Sequence, residues 1–117
     1  MPPTLADRLR HVLDAITDIN QILENKTQDE FDRDRLLRLA TERLLEIISE
    51  ASRYIPQDIK AQQPAIPWQR VADFGNRLRH AYHRVDPDIL WRIAKNELAP
   101  LQAFAERVMR DDESNSP

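Results

Sequence analysis

Glycine occurs once in these 117 residues, at Gly75. Sheet-containing folds use glycine in tight turns and at positive-φ positions. A chain with a single glycine is therefore expected to be built from helices. The abundance of Leu, Ala, Arg, Glu, Asp and Ile agrees with this. The length fits one domain able to bury about two-thirds of its unfolded surface. The boundary reads as a helical domain over residues 1–110 followed by a flexible acidic tail over 111–117.

Hydrophobic periodicity places the helices. Leu5, Leu9, Val12, Leu13, Ile16, Ile19 and Leu23 recur in steps of three and four, one face of a helix capped by Thr4. Asn25, Lys26 and Thr27 form a connector, and Thr27 with Glu30 has capping-box spacing. A second helix is predicted from there to about Tyr54, with the stripe Leu36, Leu37, Ala40, Leu44, Ile47, Ile48 and Ala51. Pro56 stops it. A loop follows with one short turn near Asp58 to Ala61. Pro67 suits the first position of a third helix over about Trp68 to Arg84. A fourth begins near Pro87, and Pro100 kinks or splits it. Short connectors between amphipathic helices predict an antiparallel bundle of four or five helices.

Composition narrows the function. Cysteine is absent, so no disulfide framework or thiolate metal site is expected and a cytoplasmic location is. No signal peptide or membrane-spanning run is read. A net charge of −3 argues against a general nucleic-acid binder, although a local basic patch is compatible with it.

The third helix carries such a patch. Val71, Phe74, Leu78, Ala81 and Val85 share a core face. The opposite side collects Asp73, Asn76, Arg77, His80 and Arg84, with His83 beside them. Arginine matches phosphate oxygens with a planar fork, and histidine exchanges a proton near neutrality. Such a pair suits metal-free RNA cleavage: histidine handles a hydroxyl or leaving-group proton and arginine stabilises the charged phosphorus. A solvated face is the ordinary alternative. His11, alone on the first helix, reads as a surface residue. Trp68 and Trp91 read as packing anchors. Glu42, Glu46 and Glu50 read as a solvated or ion-pairing stripe, with no metal or other cofactor expected.

The string Gly75-Asn76-Arg77-Leu78-Arg79-His80-Ala81-Tyr82, preceded by Ile66-Pro67-Trp68, resembles the HepT-like toxins of the HEPN superfamily. The likeness extends upstream through Thr41 to Ala51 and downstream through Val85-Asp86, Leu90-Trp91 and Leu98-Ala99-Pro100-Leu101. It implies an all-α HEPN-like bundle that forms a homodimer, with the motif helices lining a shared cleft. It implies a metal-independent endoribonuclease acting on RNA, the toxin of a type II/VII-like toxin–antitoxin system. The implied partner is a minimal nucleotidyltransferase antitoxin that attaches AMP to the motif tyrosine, here Tyr82. His80 matches the family histidine and Asn76 the polar residue after the family arginine. Arg84 and His83 are candidates for RNA phosphate.

One position departs from the pattern. The family arginine usually precedes the asparagine, and this chain has Gly75 there. Two residues are candidates to replace it. Arg79 lies one turn after Gly75 and is expected to lean back over it. Arg77 with His83 has the literal family spacing. The other reading is a catalytically degenerate helical dimer that binds a nucleotidyltransferase or RNA without cutting it.

Overall fold

A computed structural model describes residues 2–79 and 85–114. The chain is an all-α bundle, as the glycine scarcity and periodicity predict. Helix α1 spans Leu5–Leu23. Thr4 and Asp7 close a reciprocal capping box at its start, with the Asp7 amide donating to Thr4 Oγ1 at 3.1 Å and the Thr4 amide to Asp7 Oδ2 at 2.8 Å. Leu9, Val12, Ile16, Ile19 and Leu23 are all buried. Asn25 adopts a positive φ of 61° just past the helix, a conformation asparagine tolerates. Lys95 Nζ donates to the Leu23 carbonyl at 3.3 Å and so covers one of the open acceptors at that end.

The helix predicted from Thr27 to Tyr54 is two helices, α2 (Gln28–Arg33) and α3 (Arg35–Arg53). Asp34 divides them. Its φ of −104° and ψ of 96° are not helical, and its carboxylate accepts from the Leu37 amide at 3.0 Å. It thus ends one helix and N-caps the next, a competition that hydrophobic spacing does not reveal. Arg38 fastens the break by donating from Nη1 to the carbonyls of Phe31 and Asp32. The bend lets α2 turn Phe31 into the core, where it is fully buried and meets Trp91 with ring centroids 5.3 Å apart.

Helix α3 packs against α1 on one side and α5 (Trp68–Arg79) on the other. Between α3 and α5 the chain makes the single turn α4 (Gln57–Lys60), close to the turn read from sequence. Pro87 opens α6 (Pro87–Arg92), and the Asp86 carboxylate caps it by accepting from the Asp88 amide. Residues Ile93–Glu97 then form a π turn that leads directly into α7 (Leu98–Ser114). Pro100 lacks an amide and its ring crowds the carbonyl four residues earlier. The wider π turn lies where that conflict falls, so Pro100 neither breaks the rod nor leaves it regular. Helix α7 continues through Asp111, Asp112 and Glu113, all exposed. Among the described residues, no helix is long and apolar enough to cross a membrane.

Candidate functional site

Helix α5 is the element that presents the motif. Its start is anchored by Trp68, whose Nε1 donates to the carbonyls of Lys60 and Gln63, each at 3.1 Å. The Trp68 indole also meets Phe104 of α7 edge-on at 5.4 Å. The two tryptophans therefore pack within the chain: Trp68 ties α5 to α4 and α7, and Trp91 ties α6 to α2. Val71, Phe74 and Leu78 are half-buried against the core, as the helix pattern predicts.

Gly75 is buried where α5 meets α3. Its amide donates to Ser49 Oγ at 3.0 Å, and that hydroxyl donates to the Ala72 carbonyl at 2.9 Å. A Cβ added at Gly75 would stand 2.2 Å from Ser49 Oγ and 2.6 Å from Ser49 Cβ. The glycine is therefore a packing requirement. Ser49 is itself only 2 % exposed, so it has little space into which to withdraw. No side chain, an arginine included, fits at position 75 while Ser49 stays where it is. Sequence reasoning missed Ser49; its only signal is a small polar residue close to the apolar stripe of α3.

Asn76 and Arg77 lie exposed on α5, on the solvent side expected from the sequence. Arg70 and Asp73 are exposed on the same helix. The Asp73 carboxylate accepts from Gln69 Nε2 at 2.9 Å. Arg79 is the last residue of α5. His80, Tyr82, His83 and Arg84 lie outside the described residues, so of the expected site residues α5 carries Asn76, Arg77 and, at its end, Arg79.

The carboxylate stripe of α3 is partly engaged. Arg43 and Glu46 form an ion pair at 3.5 Å. Glu42 is half-buried, and that burial pushes its carboxyl above the usual glutamate range, with nearby Arg38 opposing the shift. Arg8, His11, Arg43, Glu46 and Glu50 line a mixed-charge groove between α1 and α3. His11 is exposed there, as expected. Among the described residues, no group of His, Cys, Asp and Glu could hold a metal ion.

The family profile described as Ribonuclease HepT-like matches residues 12–108. A probable ribonuclease HepT from Thermococcus cleftensis is 35 % identical over 104 residues, covering 89 % of this chain and 94 % of the relative. A candidate RNase from Methanocaldococcus jannaschii is 33 % identical over 100 residues, covering 86 % of this chain and 92 % of the relative. No solved structure matches the chain. With the profile spanning α5 and nearly the whole bundle around it, this chain belongs to the HepT-like ribonuclease family.

Proposed function

We propose that this protein is a metal-independent endoribonuclease and the toxin of a toxin–antitoxin pair. The observation that carries the proposal is the ribonuclease-family match across residues 12–108, which includes the His80 motif. His80 takes the proton from a ribose 2′-hydroxyl, whose oxygen attacks the adjacent phosphorus. The 5′-oxygen of the next nucleotide leaves with a proton, and a guanidinium offsets the charge that builds on the phosphorus oxygens.

The burial of Gly75 against Ser49 supports a guanidinium supplied from another position. Arg79, one turn further along α5, is assigned that role, and Arg77 is its alternate. Asn76 orients the phosphate or the imidazole by hydrogen bonding. His83 and Arg84 contact flanking phosphates. Tyr82 is the control point, at which a nucleotidyltransferase antitoxin attaches AMP. The functional unit is a cytoplasmic homodimer. Its support on α3 is the solvent exposure of Leu36, at 73 %, together with that of Leu39. The folding unit is residues 1–110, with the acidic C-terminus outside it.

Expression in bacteria tests the toxin assignment. Wild type is expected to arrest growth, and co-expression of a minimal nucleotidyltransferase is expected to relieve the arrest. Arg79→Ala is expected to abolish toxicity at unchanged protein level. If Arg77→Ala abolishes it and Arg79→Ala does not, the assignment passes to Arg77. Gly75 in place of the family arginine favours a second reading, a non-cutting module that binds RNA or the nucleotidyltransferase. Absence of toxicity in well-folded, unmodified wild type would favour that reading.

A further inference from the structure

We infer that the RNA path continues along the exposed face of α5 to Arg70, which binds a second phosphate away from the reacting one. This rests on the ribonuclease reading above and adds a subsite to it. Arg70 and Arg77 are both exposed, seven positions apart on one helix. That spacing is two turns, about 10 Å along the axis, so the two guanidinium groups share a face without competing for one phosphate.

Asp73 lies between them at spacings of three and four, from which it could pair with either arginine. It instead accepts from Gln69 Nε2 at 2.9 Å. Among the described residues, neither Arg70 nor Arg77 forms an ion pair with a carboxylate. Two unpaired arginines thus stand on the solvent side of the helix whose other side is locked to α3 through Gly75 and Ser49. The ridge is pre-positioned, because Trp68 pins the N-terminal turn of α5 next to Arg70. Guanidinium groups held on a rigid element and free of internal carboxylates match the spaced, singly charged phosphates of a single strand. The chain as a whole is acidic, so binding depends on this local ridge.

The test is binding of a 5′-labelled single-stranded RNA to the full chain carrying His80→Ala, which is unable to cut, measured across a salt series. Adding Arg70→Gln is expected to weaken binding and to reduce the slope of log affinity against log salt by about 0.7, one phosphate contact on a single strand. Arg110→Gln, which removes an exposed arginine from α7, is expected to change neither. In the active protein, Arg70→Gln is expected to raise KM and leave kcat unchanged. Unchanged affinity and slope in Arg70→Gln would overturn the subsite. So would weaker binding of a nucleotidyltransferase partner with RNA binding intact, which would assign the ridge to protein recognition. If the His80→Ala chain binds no RNA whether or not Arg70 is replaced, the RNA-path inference and the ribonuclease reading fail together. Binding that is present but indifferent to Arg70 sinks only the subsite.

Discussion

The Gly75 amide and the Ala72 carbonyl, one turn of α5, are bridged by the hydroxyl of a single α3 residue, Ser49, at 3.0 Å and 2.9 Å. Alanine is normally the better helix former by about 1 kcal/mol. Here its methyl would meet Ser49 Oγ at 2.2 Å. Overpacking of this kind costs about 1–3 kcal/mol, so Gly75→Ala is expected to destabilise the protein in urea unfolding. Combining it with Ser49→Gly is expected to recover part of the loss. A Gly75→Ala variant as stable as wild type would show that the two helices are not so closely joined.

The aromatic pair Phe31 and Trp91 supplies a second test. Phe31 is fully buried and reaches Trp91 only because Asp34 breaks the helix after it. Phe31→Ala is expected to cost about 3–5 kcal/mol. Asp34→Ala removes one cap and is expected to cost about 1 kcal/mol. Thermal and urea denaturation report both. Equal effects from the two substitutions would mean that Asp34, not the ring contact, sets the position of α2.

Acid sensitivity follows from three carboxylates. Hydrogen bonds from the Thr4 backbone and side chain lower the Asp7 carboxyl below its ordinary value, and Thr27 does the same for Glu30. The Gln28 side chain and then Arg92 lower Asp88. A depressed carboxyl adds stability above its unfolded pKa and loses it as pH falls through the folded value. Stability is therefore expected to fall below about pH 4.5, the upper end of their unfolded values. In Glu30→Gln this dependence is expected to flatten, because the lowered carboxyl is gone while the Thr27 amide keeps an acceptor; a midpoint-versus-pH series checks it.

Glu42 carries the opposite sign. Burial raises its carboxyl, so the native state holds its proton to higher pH than the unfolded chain does. Its contribution falls as pH rises from the ordinary glutamate value through the raised one. Glu42→Gln is expected to remove that fall and to leave the protein at least as stable as wild type at neutral pH. A Glu42→Gln variant markedly less stable at pH 7 would mean that Glu42 is held there by a favourable ion pair.

Much of the fold was legible because its signals are local. Thr4 as a cap, Thr27 with Glu30, and Pro87 at a helix start each act within one turn. The break at Asp34 was not legible, because an aspartate followed by an apolar stripe fits a helix interior as well as a cap. The role of Gly75 was only half legible. A lone helical glycine signals close approach, but the approaching residue, Ser49, lies 26 positions away and has no motif of its own. On the site, the exposed side of α5 was readable from periodicity, and Asn76 and Arg77 are where it places them. The engagement of Asp73 by Gln69, which leaves Arg70 without a carboxylate partner among the described residues, depends on rotamers that spacing does not dictate.

The most direct test of the central claim is cleavage of single-stranded RNA by the purified protein in EDTA, with intact mass showing no attached AMP and with His80→Ala alongside. Cleavage is expected to survive EDTA and to be lost in His80→Ala. Cleavage retained by His80→Ala, or none by the unmodified wild type, would contradict it.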